Sequence, residues 1–173
     1  MLTARNGTVP GMASRIEHRA TFPASVAEVV AAQSDEAALR TRLTEIGGVD
    51  AALENHAVDG DEVRYTLVQG VPADKLPSMA QKFVSGDLMV RREHTWRGSE
   101  GTIRAQVDGI PGEITGNVTV EPDGDAGARQ VTRGEVTVKI PLVGGKLEGL
   151  IAEQVTQLLE READFTTSWL ARS

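Results

Sequence analysis

The 173-residue sequence contains no cysteine. This excludes a disulfide framework, a thiolate nucleophile and any cysteine-based zinc or iron–sulfur site. Aromatic residues make up only 3% of the chain, so its core must be built on aliphatic side chains. Positive charge is also scarce. Lysine and arginine number 18 against 25 aspartates and glutamates, a net charge of −7. A nucleic-acid binder needs a basic footprint, and an anionic membrane surface repels an acidic protein, so neither partner is expected. No apolar run approaches the roughly 18–20 residues that span a bilayer, which excludes stable membrane insertion by a helix. Residues 1–13 lack the apolar stretch of a secretory signal, so a cytoplasmic protein is the simplest expectation. Catalytic signatures are missing as well. There is no HExxH, no GxSxG and no dinucleotide fingerprint. The reading therefore assigns no catalytic residue, metal or cofactor, and weight moves from enzyme towards binder.

Hydrophobic residues at 40% and charged residues at 25% fit an ordinary globular chain whose length suits one domain. Residues 1–13, with Gly7, Pro10 and Gly11, show no periodicity and read as a disordered tail, with Met12 an alternative natural start. Residues 14–173 read as the domain. Its longest periodic segment runs from Val143 to Ala171. Leu147, Leu150, Ile151, Val155, Leu158, Leu159, Phe165 and Trp169 recur there at steps of three and four. Such a helix is about 40 Å long at 1.5 Å per residue. Burying eight large side chains at roughly 1.5–3 kcal/mol each gives about 12–24 kcal/mol before chain entropy is subtracted. Glu153, Gln157, Glu160, Arg161 and Asp164 fall on the opposite side and should meet water, while Glu162 interrupts the stripe and reads as a helix-edge carboxylate.

The chain before this helix is mostly strands. Ile16, His18, Ala20 and Phe22 alternate with Arg15, Glu17, Arg19 and Thr21 and end at Pro23. Ser25 and Glu28 form a capping-box pattern for a first short helix. A second, with Leu39, Leu43 and Ile46 inward, stops at Gly47-Gly48. Strands at about 50–58 and 62–69 meet at Asp59-Gly60, a hairpin signal. A proline-punctuated segment then allows a single helical piece from Pro77 to Val84. Four more strands are centred on Leu88–Trp96, Ile103–Val107, Ile114–Val120 and Gly134–Ile140, in meander order. The expected fold is α+β, with two short helices after the first strand, a curved antiparallel sheet and a long C-terminal helix gripped by it. Small inward residues Ala20, Ala105, Gly116 and Gly134 face that helix, which predicts an internal cavity for an apolar ligand.

For such a cavity the expected wall is Leu150, Ile151, Val155, Leu158 and Leu159 of the helix. Tyr65, Arg92 and His94 share the inward parity of their strands and are the expected polar contacts, Arg92 being suited to a carboxylate. His18 also has inward parity and could serve with His94 as acid or base. The Gly144-Gly145-Lys146 stretch is not a phosphate loop, because Ile140 and Leu147 occupy its diagnostic positions. The paired glycines are read instead as allowing a sharp turn into the helix.

The sequence resembles the helix-grip fold of the START-like superfamily over about residues 14–173. The resemblance rests on the order of elements, and beside it on Arg15–Phe22 followed by Pro23, on Leu76-Pro77 with Phe83, on Glu93 with Trp96, and on IPLVGGKLE at Ile140–Glu148. Within that superfamily it looks like an actinobacterial family of unknown function. The resemblance implies a pocket for a lipid or other small hydrophobic molecule between sheet and helix. It does not imply a reaction, because the superfamily hosts carriers and polyketide cyclases alike. Two alternatives stand beside the carrier. One is a cyclase/dehydratase-like enzyme using His18 or His94 with Tyr65. The other is a protein-interaction module without a ligand, using the open sheet face or the 70–86 segment.

Overall fold

The computed structural model describes residues 14–72, 74, 78–82 and 86–172. The tail expected at 1–13 lies outside them, as do Leu76, Pro77, Phe83 and Val84. The chain opens with β1 (Ser14–Phe22), α1 (Val26–Ser34) and α2 (Glu36–Ile46). The hairpin β2 (Ala52–Asp59) and β3 (Glu62–Val71) follows, then a single turn α3 (Ser78–Gln81). Strands β4 (Leu88–Arg97), β5 (Glu100–Val107), β6 (Ile110–Asp123) and β7 (Gly127–Val138) lead to α4 (Gly144–Ala171). The fold is α+β. One antiparallel sheet has the order β1-β7-β6-β5-β4-β3-β2, a meander from β2 to β7 with β1 added beyond β7.

Local chemistry explains the two short helices. The Ser25 hydroxyl accepts from the Glu28 amide at 3.1 Å while the Glu28 carboxylate accepts from the Ser25 amide at 3.0 Å. This reciprocal cap satisfies two otherwise unpaired donors at the start of α1. Asp35 ends α1 and caps α2 through the Ala38 amide. At the far end of α2, Gly48 has φ +82° and sits so close to the Gly70 carbonyl that any side chain would collide with it.

Helix α4 lies across β1 and β7 and also meets α1 and α2. Two apolar groups hold the layers together. One gathers Phe22, Val29, Leu39, Leu67, Trp96 and Val120 beneath α1 and α2, and the other gathers Ile16, Val136, Val138, Leu147 and Ala152 beneath the first half of α4. The polar side of α4 at Glu153, Gln157, Glu160, Arg161 and Asp164 is exposed, as its spacing predicts. The apolar stripe is buried less completely than expected. Of its eight large residues only Leu147 and Phe165 are fully buried.

Two expectations about glycine need correction. Gly116 and Gly134 do not leave room beneath α4, because they face each other across β6 and β7, where the backbones approach closely. A Cβ at Gly134 would lie 2.5 Å from the Thr115 carbonyl oxygen, and one at Gly116 would lie 2.9 Å from that of Arg133. The turn into α4 is likewise not made by paired glycines. Leu142 carries the left-handed conformation, φ +75°, with its side chain wholly exposed. Gly144 is required for space, since a Cβ there would meet the Val138 carbonyl oxygen at 2.6 Å, whereas Gly145 has open surroundings.

Candidate ligand-binding site

Between the sheet and the second half of α4 lies a small cavity of about 30 Å³, bordered by residues of both apolar groups. It is not the apolar chamber that small inward residues suggested. Of those residues only Ala20 lines it, and Ala105 lines a separate crevice of about 10 Å³ with Ile151. Most residues lining the main cavity are polar, turned inward by α1, α2, α4 and strands β1, β3, β4 and β7.

Alternation along β4 buries Arg92, His94 and Trp96 and leaves Arg91 outside, where it pairs with Glu54 at 2.7 Å. On β3, Tyr65 stands directly opposite His94, and their rings stack at 4.9 Å. His56 of β2 stacks against Tyr65 at 5.9 Å. It is carried there by an irregularity between Glu54 and Ala57, where Asn55 has φ +57°. The His56 Nε2 donates to the Ser34 carbonyl at 2.7 Å. The Tyr65 hydroxyl donates to the Gln33 carbonyl at 2.9 Å and accepts from the Trp96 indole at 3.1 Å. Burial pushes the Tyr65 phenol above its ordinary pKa, so this hydroxyl is a structural donor and a poor acid.

The centre of the site is an ion triad. Glu162 of α4 receives Arg92 through Nη2 at 2.5 Å and Nη1 at 3.4 Å, and Arg42 of α2 approaches it at 3.7 Å. All three residues are buried. Glu162 is therefore not the solvent-facing helix-edge carboxylate expected from its sequence. Burial alone would raise its pKa, but the Arg42 and Arg92 charges and the Arg92 hydrogen bond outweigh that and hold it below 4.5. His94 is affected in the other direction by the same surroundings. Burial, then Arg92 and Arg42, push its pKa well below 6.5, so it is neutral at physiological pH. Among the described residues, four buried polar atoms of cavity-lining side chains have no partner: Arg42 Nε, Arg92 Nε, His94 Nε2 and Thr132 Oγ1. At the rim, His18 Nε2 lies 2.5 Å from the exposed carboxylate of Glu160. Gln33 and Gln130 bond reciprocally through their amides nearby.

The structure thus brings Tyr65, Arg92, His94 and Leu159 to one cavity. Ile151 and Val155 pack on the second apolar group farther along α4. Leu150 and Leu158 are not brought to it, being part-exposed and outside both apolar groups. For Leu150 the reason is rotational. Leu150 is two residues from buried Ala152, about 200° around the helix. Sequence reasoning missed Arg42 and undervalued Glu162. Arg42 does complete a helical stripe with Leu39, Leu43 and Ile46, but charged residues are so rarely buried that spacing alone does not mark it as inward.

Among the described residues, no helix is long and apolar enough to cross a membrane. An uncharacterized protein of Mycobacterium tuberculosis is 33% identical over 165 residues, covering 89% of this chain and 95% of that protein. Among solved structures, a START superfamily protein from Mycobacterium smegmatis superposes with a TM-score of 0.57 at 13% identity. That match covers 91% of this chain and 97% of the other. Norcoclaurine synthase from Thalictrum flavum superposes with a TM-score of 0.65 at 14% identity, covering 99% and 95%. At such low identity these two establish the START-like helix-grip fold and nothing finer. The model of the family described as a protein of unknown function (DUF2505) matches residues 17–170, and the chain belongs to that family.

Proposed function

We propose that this protein binds a small hydrophobic molecule bearing a polar group, in the space between the sheet and α4. The observation that carries the reading is the set of unpartnered buried polar atoms around a cavity in that space. Buried polar groups are almost always hydrogen-bonded, and exceptions concentrate where a ligand or water completes the set. Arg92 and His94 contact the polar end, and Tyr65, fixed by its two hydrogen bonds, braces His94 through their stack. The apolar part lies along Leu159, Val155 and Ile151. A cavity of about 30 Å³ takes a polar head or roughly one or two waters. A larger body therefore enters by parting α4 from the sheet at these half-buried residues.

Native mass spectrometry of the purified protein, followed by denaturation and identification of what is released, tests the reading. A discrete hydrophobic mass is expected. A clean unliganded mass, together with no thermal shift on adding medium-chain amphiphiles, would overturn it.

One observation favours a second reading, a cyclase/dehydratase-like enzyme. The neutral His94 holds an unpartnered Nε2 in the cavity and can accept a proton there, though its lowered pKa makes it a weak base. Tyr65 does not serve as the acid in that reading, because its hydroxyl is already engaged on both sides.

A further inference from the structure

We propose that the cavity is a carboxylate seat, and that the molecule this protein takes is an amphipathic monocarboxylic acid whose head lies between Arg42 and Arg92. This rests on the binding reading above and names its ligand class.

The first support is charge. Arg42 and Arg92 contribute two guanidinium cations to a buried site, and Glu162 contributes one carboxylate. Arginine keeps its proton when buried, so among the described residues of the site one positive charge has no buried counter-ion. His94 does not alter the count, since it is neutral there. An uncompensated buried charge is costly, and a bound anion of single charge removes the cost.

The second support is hydrogen-bond polarity. The unpartnered atoms are Arg42 Nε, Arg92 Nε, Thr132 Oγ1 and His94 Nε2. The two arginine nitrogens can only donate, and the threonine hydroxyl and the histidine Nε2–H tautomer can also donate. A water or a neutral carbonyl oxygen accepts about two hydrogen bonds, while a carboxylate accepts about four. The donor set therefore suits a carboxylate. Size agrees, because the cavity as it stands accommodates a head group and not a lipid body. Glu162 sits within the same site and repels a second negative charge, which favours a monoanion over a phosphate-like dianion.

The test compares octanoate, octanol and acetate by isothermal titration calorimetry on the unaltered full-length protein. Octanoate is expected to bind at least tenfold more tightly than octanol. Arg42→Gln, which leaves the Arg92–Glu162 pair balanced, should erase that preference, and Arg42→Lys should retain most of it. Should the Arg42 variants not fold, Thr132→Val removes a donor more gently and should weaken octanoate severalfold. Equal affinity for octanoate and octanol would overturn the carboxylate seat while leaving the hydrophobic-ligand reading intact. Binding of acetate with neither longer compound would uphold the seat and overturn the hydrophobic reading. Binding of none of the three would overturn both.

Discussion

Glu162 is enclosed by two arginines drawn from different elements, and this arrangement predicts the most damaging single change in the protein. A buried ion pair replaced as a unit by apolar groups is often neutral, but removing one partner leaves a charge stranded. Glu162→Gln should cost about 3–5 kcal/mol in urea denaturation, because Arg42 and Arg92 then face each other unpaired. Arg42→Gln should cost clearly less, since the bidentate Arg92–Glu162 contact survives. The same residues give the protein a two-step sensitivity to acid. His94 has a folded pKa below its unfolded value near 6.5, so the unfolded chain gains a proton first as pH falls. Stability is then complete above about pH 6.5 and declines below it. Glu162 is also depressed in the folded state, and its contribution is lost only below about pH 4.5. The groups around His94 are Arg92, Arg42, Glu162, Tyr65 and, at the same cavity, His18. Thermal melts from pH 8 to pH 3 should show both steps, and His94→Asn should remove the upper one alone. Much of this site was readable in part. The parity of β4 placed Arg92 and His94 inward, because side chains alternate on a strand whatever lies beyond it. Glu162 could be located on the apolar stripe but not understood there, because its partners stand on other elements.

At the scale of elements, the junction between β7 and α4 shows how a local rule can be satisfied by an unexpected residue. The sequence offers two glycines where the chain must reverse, yet the left-handed position falls on Leu142. A non-glycine residue in that region stores strain on the order of 1–3 kcal/mol. Because the Leu142 side chain makes no use of burial, Leu142→Gly should relieve that strain at little packing cost. A net gain of roughly 0.5–1 kcal/mol remains after the greater freedom of glycine in the unfolded chain is counted. Differential scanning calorimetry should record a higher melting temperature, and a lower one would show that Leu142 has a role in the folded chain. Gly144 behaves differently, since its place beside the Val138 carbonyl tolerates no side chain. The cap of α1 was legible, because Ser25 and Glu28 act within three residues of each other, and Asp35 caps α2 over the same short span.

For the whole molecule, α4 is anchored at Leu147 and Glu148 and again from Glu162 to Thr166, and is looser between them. Glu162, Phe165 and Thr166 are buried, while Ile151, Val155 and Leu159 are only partly covered. Regions with fewer buried contacts open at lower free energy. Amide hydrogen exchange should therefore be faster from Ile151 to Leu159 than from Glu162 to Thr166 or in the paired centres of β6 and β7. A ligand seated under α4 should slow the Ile151–Leu159 stretch most. At a hundredfold excess over its dissociation constant it should also stabilise the protein by about 2.7 kcal/mol. Unchanged exchange in that stretch with saturating ligand would place the entry route elsewhere.

The meander from β2 to β7, the two short helices with the capping box of the first, and the length of α4 were determined by the sequence alone. They follow from periods of two and 3.6 residues and from caps and turns that act over a few positions. The superfamily resemblance rested on that same order. The size and polarity of the cavity were decided only by tertiary structure. Gly116 and Gly134 look like missing volume in the sequence, yet neighbouring backbones already fill that space. Arg42, Arg92 and Glu162 are each a charge at an inward position of a different element. Their meeting depends on how closely α2, β4 and α4 approach, a distance set by sheet curvature and side-chain packing across the whole fold. No local pattern in the chain carries that distance.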